Sequence, residues 1–150
     1  MAECSKAPQY LIVGHITKDI VDGTHYRLGG TATYAALAAR RLGLEVGVLT
    51  AGNVDTNPPA AEGICVHRVP CPQSTVFENI YTATGRRQFV RGVAAGLQGQ
   101  DVPDAWRSAP VVHLGPIAQE VSPDLAKAFP GALVGVTPQG WLRRWDEQGL

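Results

Sequence analysis

The segment from Arg27 to Gly43, RLGGTATYAALAARRLG, constrains the fold of this chain more than any other. Two adjacent glycines forfeit backbone entropy on folding, so they belong where the chain turns sharply or where a ligand approaches the main chain. The alanine-rich run that follows reads as a helix beginning near Thr31 and closed by Gly43 as a C-terminal cap. Its start offers unpaired N–H groups behind two residues without side chains, a place where a hydroxyl or an anion can touch backbone directly. By itself, a Gly-Gly helix start also reads as a plain tight turn. Tyr34, Leu37, Ala38 and Leu42 fall on one stripe, Arg40 and Arg41 complement the dipole at the far end, and the alanines let the helix lie close to a sheet.

The flanking segments supply that sheet. YLIVG (Tyr10 to Gly14) is a short apolar run stopped by glycine, as in a strand covered on both faces. LEVGVLTA (Leu44 to Ala51) and ICVHRV (Ile64 to Val69) read as the next two strands, separated by the surface turn NVDTNPPAAEG. Strand, helix, strand with short connections is the βαβ unit of a parallel sheet. Two β-rich runs around TATGRR, within STVFENIYTATGRRQFVRGV, read as a hairpin. The α/β rhythm then returns with PVVHLGPI as a strand, SPDLAKAF as a helix capped by Ser122 with Pro123 in its first turn, and PGALVGVTP as a strand. GLQGQD (Gly96 to Asp101) reads as a loop. The closing QGWLRRWDEQGL is followed by no element that completes a layer, so an uncovered sheet edge is expected there, with Trp141 and Trp145 packing against whatever follows.

Composition narrows the ligand. Among 150 residues, thirteen basic side chains balance thirteen acidic ones, so no overall field draws the protein to nucleic acid or to anionic lipid. A small polar ligand suits it better. The N-terminus lacks the order of a signal peptide and no apolar run approaches the roughly 20 residues that cross a bilayer, which gives a cytoplasmic reading with no membrane partner. Cys4, Cys65 and Cys71 are odd in number and form no CxxC, so reduced, partly buried thiols are expected. His15, His25, His67 and His113 show no ligand spacing, and no metal site is expected. Arg86, Arg87 and Arg91 gather at the hairpin, as on a solvated face, with phosphate or partner contact as the other reading.

Asp19 lies five residues beyond Gly14, in what reads as the loop off the carboxyl end of the first strand, where open α/β sheets bind ligands. Its carboxylate can accept hydrogen bonds from two neighbouring hydroxyls, as a sugar offers, although standing alone it also reads as a solvated loop acid. With the Gly-x4-Asp pattern, GGTATYAALAARRLG, the hairpin, VVHLGPI and VGVTPQGWLR in this order, essentially the whole chain resembles the ribokinase-like (PfkB) family of carbohydrate and nucleoside kinases. The Gly-Gly signature with its trailing Leu-Gly is the specific part of that likeness.

The resemblance implies a three-layer αβα fold with a mostly parallel sheet and a small β lid, residues 1–150 forming the N-terminal part of one such domain. It implies lid segments at about 20–28 and 76–92, substrate hydroxyls held by Asp19, and backbone brought to the substrate at Gly29 and Gly30. Phe77, Glu78 and Asn79 are the lid residues placed to face substrate, and ordinary hairpin packing explains them equally well. Tyr34 stands where many of these kinases carry an asparagine, so it lines the pocket or simply packs, and the sugar cannot be carried across. ATP and Mg2+ are implied for the full-length enzyme. The family's late Gly-Ala-Gly-Asp type motif, which supplies the base and the amide cradle for phosphoryl transfer, has no counterpart here, and no Walker-type GxxxxGK[ST] replaces it. The expectation is therefore the substrate-binding half of a sugar or nucleoside kinase, inactive alone, its open sheet covered by a C-terminal half or by a second copy. A non-catalytic sugar-binding or assembly module is the alternative. A Rossmann-type dinucleotide domain is less favoured, because no GxGxxG follows the first strand.

Overall fold

The computed structural model describes residues 4–56 and 63–150. Two sheets organise them. The larger is five-stranded and parallel, in the order β5-β4-β1-β8-β9, from β1 (Tyr10–Val13), β4 (Val46–Gly52), β5 (Ile64–Pro70), β8 (Val111–Leu114) and β9 (Leu133–Val136). The smaller has the order β3-β2-β6-β7, from β2 (Thr17–Ile20), β3 (Tyr26–Gly29), β6 (Thr75–Thr82) and β7 (Gly85–Gly92). The chain passes from β1 into β2 through Gly14, His15 and Ile16, so the lid sheet grows directly from the carboxyl end of a central core strand.

Period-two alternation divides the core into two layers. Ile12, Val46 and Val48 face helix α1 (Gly30–Arg41) and meet Ala32, Ala36 and Ala39. Leu11, Val13, Leu49 and Ala51 face the other way, onto Leu97, Val102, Trp106, Leu125 and Phe129. This second layer is made of loops and short 3-10 turns rather than long helices. SPDLAKAF forms a 3-10 segment, Pro123–Ala128, in which Ser122 holds the cap position without a side-chain bond and its carbonyl accepts from Leu125 N–H at 3.0 Å. Six residues between Pro123 and the Pro130-Gly131 stop do not propagate an α-helix, whose nucleus is costly. GLQGQD likewise ends in a 3-10 turn, Gly99–Asp101, rather than an open loop.

Helix α1 does not bury the stripe its sequence suggests. Ala32, Thr33, Ala36 and Ala39 are inside, whereas Tyr34 and Leu42 are 64% and 80% exposed. The small side chains bring the helix axis down onto the sheet, and the larger ones fit only outside. Gly43, with φ +88°, ends the helix: its N–H bonds Arg40 O and that of Leu44 bonds Ala39 O, the paired bonds of a Schellman cap.

Three further expectations change. Cys4 and Cys65 are joined in a disulfide across 61 residues, contrary to the reading of reduced thiols, while Cys71 is free. The N-terminal segment runs beside β4 and β5 and brings Cys4 there; Trp106 Nε1 also holds it by donating to Cys4 O at 3.1 Å. Trp141 and Trp145 pack within this chain: Trp141 Nε1 donates to Val121 O at 2.7 Å, and Trp145 joins the cluster of Phe77, Ile117 and Ala118. The closing segment instead folds back on the lid, with Val90 N–H donating to Gly149 O at 2.8 Å. At the sheet edge, Leu133 and Val136 on β9 are exposed. The surface turn falls partly outside the described residues; its Val54–Thr56 is a 3-10 turn. No helix among the described residues is long and apolar enough to cross a membrane.

Candidate functional site

A cavity of about 720 Å3 opens between the lid sheet and the N-terminus of α1. Ile117, just after β8, and Thr137, just after β9, complete its rim, so it lies at the carboxyl ends of the parallel strands. The strand order reverses at β1 and β8, and open α/β sheets bind ligands at such a crevice.

Asp19 is on strand β2 rather than in a loop. Its partner across β3 is Arg27, and Thr17 Oγ1 donates to its Oδ1 at 3.0 Å. The sequence TKDI gave no strand signal because its residues are mostly polar, and only pairing between β3 and β6 extends it. Burial pushes the Asp19 carboxyl above its ordinary value; the Thr17 hydrogen bond and the Arg27 and Arg143 charges pull it partly back. A half-buried carboxylate with free acceptor sites is suited to neighbouring hydroxyls.

The two glycines do separate jobs. A side chain on Gly29 would run into the Asp19 carboxylate, so that glycine lets the carboxylate lie against the turn. Gly30 has φ +85°, and a Cβ there would strike His15 O. The turn is thus possible only with glycine at position 30. Thr33 Oγ1 donates to Gly29 O at 2.6 Å, and Gln139 Nε2 to Thr31 Oγ1 at 2.9 Å, fixing the helix start against the core.

Strand alternation sorts the lid candidates. Asn79 lines the cavity with Tyr81, and across β7 Gln88 and Arg86 line it too; Gln88 Nε2 donates to Asn79 Oδ1 at 2.9 Å. Phe77 is on the same face but buried beneath, against Ile117 and Ala118, with the Arg143 guanidinium 4.8 Å from its ring centroid. Glu78 is on the opposite face and pairs with Arg91 at 2.6 Å. The arginines divide in the same way: Arg87 and Arg91 lie over Phe89, and Arg86 reaches the cavity. Asp19, Gly30, Tyr34 and Asn79 therefore surround one cavity, with Gly29 at its edge. Arg27, Arg86, Gln88, Thr137 and Gln139 were not singled out as pocket residues from the sequence; the even-odd pattern of GRRQ was the available signal for Arg86 and Gln88.

Behind the pocket, a buried polar relay fastens lid to core. Ala94 N–H donates to Thr75 Oγ1 at 2.9 Å, and Thr75 Oγ1 lies 2.6 Å from His15 Nδ1, whose Nε2 is 2.9 Å from Ala95 O. Because a carbonyl only accepts, the proton belongs on Nε2 and the threonine hydroxyl donates to Nδ1. Burial holds His15 below its ordinary imidazole value, against opposing effects of the Glu120 charge and the Ala95 hydrogen bond. The Glu120 carboxylate accepts from the N–H groups of His15, Ile117 and Ala118 at 2.7–3.0 Å, tying the loops after β1 and β8 together.

A polar cavity at a sheet's switch point, roofed by a small β-sheet and floored by a Gly-Gly helix start, defines an open α/β fold with a crevice at the carboxyl ends of its strands. Solved structures sharpen this. A pyrophosphate-dependent kinase in the ribokinase family, in sulfate complex, superposes with TM-score 0.72 at 23% identity, covering 93% of this chain and 53% of that one. The pyrophosphate-dependent kinase complexed with a pyrophosphate analogue and myo-inositol gives 0.71 at 24%, over 94% and 53%. Arabidopsis thaliana ribokinase complexed with ribose and ATP gives 0.58 at 16%, over 87% and 53%. No protein-family model and no curated protein matches the chain. The fold is ribokinase-like, and the chain spans about half the length of these solved neighbours.

Proposed function

We propose that this chain is the acceptor-binding and lid part of a kinase that transfers a phosphoryl group to a hydroxyl of a sugar, sugar derivative or nucleoside. The observation that carries the reading is the placement of Asp19 on a lid strand, half-buried, against the Gly29-Gly30 turn at the start of α1 and open to the shared cavity. Asp19 accepts hydrogen bonds from two adjacent hydroxyls of the acceptor. The Asn79 and Gln88 amides orient the remaining hydroxyls, and the lid sheet keeps water from the acceptor. Alignment of this kind is most of what a phosphoryl-transfer enzyme supplies besides charge stabilisation.

The donor belongs to the whole enzyme. The resemblance favours ATP with Mg2+, and the first two solved neighbours are pyrophosphate-dependent. Among the described residues no group of three or more His, Cys, Asp or Glu side chains is placed to hold a metal ion by itself. On this reading the base for the accepting hydroxyl lies outside residues 1–150, and the chain alone binds without turnover.

Titration calorimetry with ribose, fructose, myo-inositol and a nucleoside tests the reading. At least one should bind, and Asp19→Asn should weaken it about tenfold or more, since hydrogen bonds to a charged group are lost, without lowering the melting temperature. No binding by any of them, or equal binding by the variant, would refute the assignment. Phosphorylation of any of them by the 150-residue chain would refute the placement of the base.

A further inference from the structure

The charges around the cavity exceed what a neutral polyol needs. Arg27 and Arg86 both line it, from β3 and β7. Arg27 faces Asp19 across the strand pair, so those two charges offset each other. Arg86 has no such partner: its cross-strand neighbour is Tyr81, and among the described residues it makes no ion pair. A further cation, Arg143, is held by stacking on Phe77 and by donating to Ile117 O at 2.5 Å. Burial first, and then the Arg86 charge, holds the Arg143 guanidinium below its ordinary value, while Glu120 and Asp19 act in the opposite direction.

Glu120 does not relieve this. Both its oxygens are occupied by backbone N–H groups, and it is buried behind the loop after β8. Two guanidiniums, Arg27 and Arg86, thus line the cavity against the single carboxylate of Asp19. A guanidinium fork at an open cavity, with no ion-pair partner among the described residues, is complementary to an oxyanion. The N–H groups at the start of α1 add to the same positive field.

We infer that the acceptor is an anionic polyol, a sugar or cyclitol carrying a phosphomonoester or carboxylate group, with its hydroxyls on Asp19 and its anionic group on Arg86 near the lid tip. This rests on the acceptor-binding function proposed above and narrows its substrate class.

Matched pairs decide it: ribose with ribose 5-phosphate, fructose with fructose 6-phosphate, and glucose with gluconate, titrated calorimetrically at low salt beside inorganic phosphate and pyrophosphate alone. The charged member of at least one pair should bind about tenfold or more tightly, with a preference that shrinks as salt screens the contact. Arg86→Gln should reduce that ratio to under about threefold. Whether phosphate or carboxylate members show the preference identifies the anionic group. If neutral members bind through Asp19 with no preference for charge, this inference falls and the acceptor reading stands. If no polyol of either kind binds, both fall. Inorganic phosphate or pyrophosphate binding as tightly as the polyol phosphates would overturn the inference by making the guanidiniums a donor site, as would an unchanged ratio in Arg86→Gln.

Discussion

The two sheets of this protein solve opposite problems. Every residue of β4 is buried, and so are three of the four in β1, so the parallel sheet holds itself together with apolar area removed from water. In β6 and β7 burial is confined to a few residues near the core, and the far ends are exposed, Ile80 and Tyr81 included. One sheet is bound by its faces; the other is held mainly at its root, by the His15–Thr75 relay and the Phe77 cluster. The buried core and most of the cavity lining are therefore located in different sheets, and substitutions should separate stability from the proposed acceptor binding.

The largest effect belongs to the core. Trp106→Ala removes a fully buried indole beneath the parallel sheet and should cost about 3–5 kcal/mol of unfolding free energy, read from urea denaturation. A loss under about 1 kcal/mol would mean that the layer of 3-10 turns is not a core layer at all.

Next comes the junction. Gly30→Ala places a Cβ at φ +85° and against His15 O, and should cost about 1–3 kcal/mol while also abolishing acceptor binding. If stability fell and binding survived, the Gly-Gly turn would be purely structural.

The relay gives a pH signature. His15 has its folded value lowered from 6.5, so the unfolded chain takes the proton first on acidification. The stability this contributes is fully present above pH 6.5 and is lost as the pH falls towards the depressed folded value, at no more than about 1.4 kcal/mol per pH unit. His15→Gln should flatten that part of the profile, measured as urea midpoints between pH 8 and 5. His113, also lowered by burial, contributes in the same direction and remains in the variant.

The smallest effect lies on the face of the lid away from the cavity. Glu78→Gln breaks the partly exposed pair with Arg91 and should change stability by less than about 1 kcal/mol, with acceptor affinity unaltered. A clear drop in affinity would show that the two faces of the hairpin are not functionally distinct.

The parallel strands were legible because burial on both faces demands continuous apolar runs such as YLIV, and the hairpin because TATGRR punctuates two β-rich segments. The Gly-Gly turn and Asp19 are both visible in the sequence, yet local pattern alone puts Asp19 in a loop. A strand such as TKDI exists through its neighbours' hydrogen bonds, and its own residues carry little preference for it. The face that α1 buries differs from the expected one because large residues suggest an interior stripe, whereas a close sheet admits only small ones. The Cys4–Cys65 bond escaped because it joins residues 61 apart, which no local pattern relates.

By itself the sequence determined the apolar core strands, the need for glycine at one turn and the presence of an acid just beyond the first strand, since each depends on local backbone and side-chain preferences. Tertiary structure decided which of three clustered arginines reaches the cavity, which lid residues face it and which cations go unneutralised. Those outcomes depend on strand register and on charges brought together from distant segments, and neither is encoded in any short stretch of chain.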